Sequence, residues 1–191
     1  MGSIYRVYSR LLHKHPVVVQ SLQTGTLTGA GDLLSQFFVE KKPATQYEWQ
    51  RTARFFAIGT FFIGPSITKW YRVLDVKFGS GKGIRALKKV AVDQLVFAPV
   101  FLGVFLGVLG VMQGHRPQRI QNDIKKNYKD IILTCWSVWP AVQICNFSFV
   151  PLNYQVLVAQ TFALVWNTYL AWKTNKDTVV PEPQEKLTIN K

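Results

Sequence analysis

Long uncharged runs alternate with short basic stretches along this chain. The longest run, 131–172, contains no Asp, Glu, Lys, Arg or His across 42 residues. A helix needs about 20 residues to cross the core of a bilayer, and Pro151 divides the run into 20 residues before it and 21 after it. The run therefore predicts two membrane crossings, or one crossing followed by a re-entrant or interfacial piece.

Three shorter windows repeat this pattern. They comprise 25 residues between Lys14 and Glu40 with Asp32 as the single Asp, Glu, Lys or Arg, 14 residues between Arg54 and Lys69, and 22 residues between Asp93 and Arg116. These runs exceed the usual strand length of about 5–6 residues and lack strand alternation. In lipid, a helix satisfies its own backbone hydrogen bonds within one segment.

The pattern thus predicts an all-α, polytopic transmembrane helix bundle with four to five membrane segments in a single domain, 1–173. The predicted segments are about 17–38, 54–73, 92–113, 131–150 and 152–172. A soluble protein with a buried helical core is the alternative. A 42-residue charge-free run in a chain of 191 residues disfavours that alternative.

The two ends of the chain differ from these segments. Residues 1–15 contain no acid, and apolar residues recur there at helical spacing between Arg6, Arg10 and Lys14. This pattern fits an amphipathic helix on an anionic membrane surface, a mitochondrial targeting sequence, or a basic flank of the first segment. The polar residues 174–191 predict a disordered tail.

The chain is poor in charge and strongly basic at once. It has 23 Lys and Arg against 10 Asp and Glu, a formal net charge of +13. We expect its basic loops to attract the bilayer's anionic lipid headgroups, such as cardiolipin, and small anionic solutes such as nucleotides. Direct contact with nucleic acid is not predicted.

Polar side chains within the segments are candidates for function, because ionisable groups in a membrane are costly. On a helix, Asp32 shares a face with Gln36, and Gln143 shares a face with Asn146. Each face either lines a water-filled path or packs against another helix with its polar groups satisfied. Both interpretations stay open from the sequence, and Asp32, Gln36, Gln143 and Asn146 are the pore-lining candidates.

Proline and glycine mark places where the segments bend or pack closely. Pro65, Pro99 and Pro140 lie inside segments and predict helix kinks. Glycines four residues apart allow close contact between helices, and the predicted packing glycines are Gly25, Gly29, Gly103, Gly107, Gly110 and Gly114.

Motifs for catalysis are missing from the sequence. It contains no phosphate-binding loop, no HExxH and no GxSxG, and no nucleophile can be matched with a base. Cys135 and Cys145 lie ten residues apart in one segment, so they cannot pair with each other in a straight helix. We therefore predict no enzyme activity, no metal site and no cofactor.

Five separated strings of residues resemble a known family. The string WPAVQICNFSFVPLNYQ, 139–155, is similar to the W-P-x-x-Q-x-x-N-F-x-x-x-P signature of the Mpv-seventeen/peroxisomal-membrane-protein family. The other strings are GAGD before SQ (29–36), GP before WYRVLD (64–75), KK before DQ and FAP (88–99), and WNTYL (166–170). The strings fall in order, and the resemblance covers about residues 3–173.

The resemblance implies a small multi-pass protein of the mitochondrial inner membrane, usually described with four spans; the peroxisomal membrane is the alternative location. Members are described as channel-like and linked to membrane potential, reactive-oxygen handling and mitochondrial DNA maintenance. Many members carry a basic residue where this chain has Gln155, so a role for a cation there does not transfer.

Two hypotheses follow for function. The first is a channel of the mitochondrial inner membrane that passes nucleotides or other metabolites and modulates membrane potential, with homo-oligomers as an open option. The second is a non-conducting membrane scaffold or assembly protein of the inner or peroxisomal membrane. The basic loops favour anions and Asp32 favours cations, so the sequence leaves the selectivity of a channel open.

Overall fold

The computed structural model describes the backbone of residues 2–178 and the side chains of residues 6–168. Within that part of the chain the regular structure is helical and no strand occurs, which confirms the predicted all-α class. A basic helix, α1 (Gly2–Lys14), precedes five long helical rods. Each predicted membrane segment lies almost wholly within one rod.

The rods contain α-helices and, in three of them, one π-helical turn. The first is α2 (Pro16–Leu34) with the π turn Ser35–Val39. The second is α3 (Trp49–Ile58), the π turn Gly59–Ile63 and α4 (Gly64–Phe78). The third is α5 (Ile84–Val92), the π turn Asp93–Phe97 and α6 (Ala98–Met112). The last two are α7 (Pro117–Phe149) and α8 (Leu152–Thr178).

Local sequence explains where the rods begin and end. Pro16 and Pro117 stand at the first helical position, where a missing N–H costs nothing. Gly79 ends α4 with a φ of +76°, a backbone conformation that favours glycine. Between α7 and α8, Val150 is extended with a ψ of 129°, as expected for a residue before proline.

Two π turns lie directly before prolines. Gly64 N–H bonds Gly59 O, and Ala98 N–H bonds Asp93 O, each five residues back, so the turn is wider than an α-turn. Pro65 and Pro99 follow immediately and cannot donate the next helical bond. The wider turn is thus the local irregularity at these two prolines, whereas Pro140 lies inside an unbroken α7.

Small residues bring α2 against the second rod in antiparallel order. A Cβ built on Gly25 would lie 1.9 Å from the Thr60 hydroxyl, and one on Gly64 would lie 2.5 Å from Ser21 Cα. Only glycine permits backbones to approach this closely. A Cβ on Gly31 would lie 3.0 Å from Leu164, which places α8 on another side of α2.

The molecule is polar inside and apolar outside. Among described side chains, the 13 buried polar or charged residues outnumber the 11 buried hydrophobic ones, while 24 large hydrophobic side chains are exposed. Phe61 is 79% exposed and Val165 is 63% exposed. A water-soluble globule has the opposite distribution, so this surface suits lipid.

In the part of the chain that the structure describes, two helices are long and apolar enough to cross a membrane by length and composition, Ile84–Met112 and Pro117–Phe149. Both begin earlier than the predicted segments at 92 and 131, because charged residues continue each helix beyond its apolar part. Helix α8 likewise covers the first five residues of the predicted tail and ends at Thr178; residues 179–191 lie outside the described part.

Helix α1 is docked on the bundle. Leu12 is fully buried, whereas Val7 and Leu11 are 54% and 47% exposed. Gln23 of α2 donates to the Tyr8 hydroxyl at 2.6 Å. The exposed apolar residues beside Arg10 and the other cations of α1 suit a helix at the membrane interface.

Candidate functional site

Asp32 is the centre of a buried ion-pair cluster where α2 meets α3. Its side chain is 2% exposed, and its Oδ1 lies 2.6 Å from Arg51 Nε. Its Oδ2 accepts hydrogen bonds from Gln36 Nε2 at 2.8 Å and from the Thr52 hydroxyl at 2.6 Å. A carboxylate this deeply buried requires a cation and further donors, and the cluster supplies both.

Gln36 holds the loop after α2 to the same cluster. It lies in the π turn Ser35–Val39 and is fully buried. Its amide also donates to the Thr52 hydroxyl at 3.1 Å, and its Oε1 accepts the Glu48 backbone N–H at 2.8 Å. The buried Gln36 side chain therefore holds the loop that ends at Glu48 against the end of the bundle through a hydrogen bond.

Ion pairs at the surface continue this cluster outward. Arg51 also bonds Glu40 at 2.6 Å, and Lys42 bonds both Glu40, at 2.7 Å, and Glu48. The hydrogen bond from Arg51 is the main cause that lowers the pKa of Glu40 below its ordinary value, although partial burial opposes it. The hydrogen bond to Glu40 in turn raises the pKa of Arg51. The cluster formed by Asp32, Gln36, Glu40, Lys42, Glu48, Arg51 and Thr52 is called the loop-end cluster below.

Asp93 is the centre of a second buried cluster, deeper in the bundle. It is 3% exposed. Its Oδ1 accepts from Trp70 Nε1 at 2.8 Å, and its Oδ2 accepts from Gln94 Nε2 at 2.8 Å and from Gln143 Nε2 at 3.2 Å. These donors come from three different rods, so the carboxylate joins α4, the π turn Asp93–Phe97 and α7.

Amide side chains extend the second cluster to α8. Gln143 also donates to the Tyr71 hydroxyl at 2.6 Å. Asn146 Nδ2 donates to Gln143 Oε1 and to Gln155 O, each at 3.1 Å. All these side chains are at most 4% exposed. The set Trp70, Tyr71, Asp93, Gln94, Gln143, Asn146 and Gln155 is called the central cluster below.

No Lys or Arg within the described residues forms a salt bridge with Asp93. Lys89, one turn earlier on the same helix, is 1% exposed and pairs instead with Asp75 at 2.6 Å. Asp93 therefore differs from Asp32, which has Arg51. Three amide oxygens of the central cluster also lack a hydrogen-bond partner within the described part: those of Gln94, Asn146 and Gln155.

The four pore-lining candidates from the sequence divide between these two clusters. Asp32 and Gln36 lie in the loop-end cluster, and Gln143 and Asn146 lie in the central cluster. Thr52 and Tyr71, one from each cluster, are 19 residues apart along the second rod, which is about 28 Å of helix rise. The candidates thus mark two depths of the bundle, and in this structure they bond to other protein groups.

Sequence reasoning missed several members of these clusters. The predicted segment at about 92–113 puts Asp93 at the start of a helix, but that helix begins at Ile84 and Asp93 lies within it. Arg51 was not identified, because it lies 19 residues from Asp32 beyond a loop. Gln155 stands where a family cation was expected, and its Nε2 donates to Val150 O at 3.0 Å. A count of polar residues in apolar runs would have flagged Gln155, but not its partners.

The predicted packing glycines have different surroundings. A Cβ on Gly29 would lie 3.4 Å from Phe56, and one on Gly110 would lie 2.7 Å from Ile120. Gly103 has only the Tyr128 ring at 3.9 Å, and Gly107 has nothing within 4 Å. Gly114 lies in the turn after α6 with a φ of +76°, so it serves the turn rather than a helix face.

Proteins with sequences similar to this chain match it over nearly its whole length. It is 43% identical over 177 residues to "Mitochondrial inner membrane protein Mpv17" of Xenopus laevis, covering 92% of this chain and 99% of the relative. The protein of the same name from Danio rerio is 42% identical over 176 residues, with the same coverage. "Protein SYM1" of Gibberella zeae is 38% identical over 174 residues, covering 90% of this chain and 98% of the relative. The model of the Mpv17 / PMP22 family matches residues 110–171.

This chain belongs to the Mpv17/PMP22 family. The relatives' names support a mitochondrial inner membrane protein and state a location rather than a reaction. No solved structure matches the chain. Within the described residues, no group of three or more His, Cys, Asp or Glu could hold a metal ion.

Proposed function

We propose that this member of the Mpv17/PMP22 family forms a channel-like pathway for small solutes across the mitochondrial inner membrane. The observation that carries the proposal is the central cluster, where Asp93 is buried without a cation and three amide oxygens lack partners. In a purely structural core such groups are costly. Water entering a pathway would hydrate them.

We place five crossings in this membrane protein. The five rods contain 24 to 33 residues, and each exceeds the roughly 20 that a bilayer core requires. The π turns before Pro65 and Pro99 interrupt the α-helix in two of these rods, whereas Pro140 lies inside an unbroken α7. An odd number of crossings puts the two ends of the chain on opposite sides. Protease digestion of the C-terminal tail from each side of sealed membranes tests this parity, and an even number would contradict it.

The polar candidates then line the pathway at two depths. Asp32 and Gln36 lie at the loop end, and Gln143 and Asn146 lie deeper beside Asp93. Since these groups bond to one another in the present structure, it corresponds to a closed state. Opening exchanges their mutual hydrogen bonds for hydrogen bonds to water, and the Asp32–Arg51 pair closes the loop end.

Conductance of the purified protein in planar bilayers tests the proposal. We expect wild-type protein to conduct, and we expect Asp93→Asn and Asp32→Asn each to change ion selectivity, because each removes a charge from the path. Arg54→Gln is the control, since Arg54 is exposed and belongs to neither cluster. Silent wild-type protein would contradict a channel, and unchanged selectivity in both variants would remove these carboxylates from the path.

The charge of the loops suits anionic partners. Lys82, Arg85 and Lys88 are exposed between α4 and the middle of α5. They are placed to attract cardiolipin headgroups and to concentrate anionic metabolites, including nucleotides, near one mouth. Passage of such solutes would affect membrane potential and support mitochondrial DNA maintenance indirectly, without contact with DNA.

A non-conducting scaffold is the second candidate function. One observation favours it: a Cβ on Gly107 would meet nothing within 4 Å, on a helix whose surface is almost wholly apolar. Such a face accepts a second transmembrane helix closely, so it also suits a homo-oligomer. Cross-linking in native membranes combined with conductance in planar bilayers distinguishes a channel from a scaffold. A channel-forming homo-oligomer cross-links to itself and conducts, whereas a scaffold also forms cross-linked assemblies but does not conduct.

A further inference from the structure

The first half of α7 runs antiparallel beside α6, the most apolar helix of the chain. Three contacts fix this alignment. Trp136 Nε1 donates to Gln94 O at 3.0 Å, and the Tyr128 hydroxyl donates to Pro99 O at 2.8 Å. Nearer the other end, a Cβ on Gly110 would lie 2.7 Å from Ile120. Lys125 therefore lies at the level of Val104, and Lys129 lies at the level of Val100.

Only one stripe of this part of α7 is apolar. Ile120, Ile124, Tyr128 and Ile131 are partly buried toward α6 at helical spacing. The rest of the segment 117–130 is exposed and polar, and it carries four basic and two acidic residues. Arg119 and Asp123 form an ion pair at 3.8 Å, whereas the described residues provide no ion-pair partner for Lys125 or Lys129.

The neighbouring face of α6 is apolar and exposed, so it suits contact with lipid at the depth of these two lysines. Val100 is 66% exposed and Val104 is 49% exposed, between Leu95 and Val111 at 68% each. By helix rise, Val104 lies about 14 Å from Leu95 and about 10 Å from Val111. Lysine side chains can reach an interface from near a helix end, but these two stand near the middle of the apolar stretch. Charged side chains at that depth face water or another charged group.

We infer that the polar face of α7 around Lys125 and Lys129 lines a water-filled space inside the membrane and selects for anions. This inference rests on the proposed channel function and adds a second aqueous surface, on the exposed side of α7, to the pathway among the buried clusters. Lysine side chains along a pore favour negative ions. One helical hairpin cannot enclose a lumen, so further copies of the chain supply the remaining walls.

Cysteine accessibility tests the wall independently of conductance. Single cysteines are placed by Lys125→Cys, Lys129→Cys, Val100→Cys and Val104→Cys in a background with Cys135 and Cys145 replaced by alanine. The protein is reconstituted in liposomes and treated with a charged, membrane-impermeant thiol reagent. The lysine positions should react at least about tenfold faster than the valine positions, because only a thiol in water ionises readily. Slow reaction at all four positions, or fast reaction at all four, would overturn the inference.

Charge reversal tests the selectivity. In planar bilayers, the double change Lys125→Glu with Lys129→Glu should lower the chloride-to-potassium permeability ratio about fivefold by reversing the local Coulomb energy. Arg54→Glu, on the exposed surface of α3, should leave the ratio unchanged. An unchanged ratio in the double variant would remove these lysines from the lumen. Position-dependent labelling in a protein that does not conduct would instead contradict the channel while preserving the aqueous face.

Discussion

Arg51→Gln is expected to destabilise the protein strongly, because it leaves Asp32 without a cation. The Asp32 side chain is 2% exposed, whereas Arg51 is 29% exposed. Removing one partner of a buried ion pair costs about 3–5 kcal/mol. Gln36 and Thr52 would still donate to the carboxylate, so the lower end, about 3 kcal/mol, is expected. For a chain of this size, that lowers Tm by about 6–12 °C.

Thermal unfolding in detergent measures this cost. Labelling of the partly buried Cys135 by a thiol-reactive dye is the signal for lost packing, in a Cys145→Ala background because Cys145 is exposed. Arg54→Gln is the matched control, since Arg54 is exposed on the same helix, and it should change Tm little. Adding Asp32→Asn to Arg51→Gln should recover part of the loss, because no unpaired charge then stays buried. A Tm for Arg51→Gln equal to that of Arg54→Gln, or a double variant no more stable than Arg51→Gln, would refute the ion-pair reasoning.

Two further variants test packing and pH dependence. Gly25→Ala should lower Tm, because its Cβ would lie 1.9 Å from the Thr60 hydroxyl. Gly107→Ala should leave Tm unchanged or raise it, because alanine favours a helix by up to about 1 kcal/mol over glycine and its Cβ would meet nothing within 4 Å. Equal effects of the two variants in thermal scans would count against the close contact at Gly25. Glu40 has a lowered pKa in the folded protein through its bond with Arg51. Its contribution is therefore complete above its ordinary pKa of 4.5 and is lost as pH falls through the folded value. The Tm difference between wild type and Glu40→Gln should shrink as pH falls below 4.5, and a difference independent of pH would contradict this linkage.

The helices of this protein could be predicted from sequence because uncharged length is a direct property of the chain. The boundaries of the helices were harder to predict, because a charged residue beside an apolar run predicts the end of a segment, whereas several of the helices continue past such residues. Lys89 illustrates why: it is charged, yet it lies buried within a helix because Asp75 on another rod neutralises it. A linear pattern holds no information about such a partner.

The sequence identified polar residues that lie in the buried clusters, but not which residues of different helices contact one another. Asp32 and Gln36 lie on one turn, and their mutual hydrogen bond follows from helical spacing. Gln143 and Asp93 are 50 residues apart and meet only after α5 and α7 pack together. The division of the candidates between two depths therefore required tertiary structure, as did the absence of a cation beside Asp93 among the described residues.

The central claim is that this bundle turns its apolar side chains to lipid and its polar ones inward. Spin labels at Phe61→Cys and Val165→Cys in liposomes test it most directly, with Lys82→Cys in the exposed loop after α4 as the aqueous reference. Cys135 and Cys145 are replaced by alanine in all three variants. Collision with dissolved oxygen and with a water-soluble nickel chelate then reports the surroundings of each label. We predict high oxygen and low nickel access at Phe61 and Val165, and the reverse at Lys82. Nickel access at Phe61 and Val165 equal to that at Lys82 would contradict the claim.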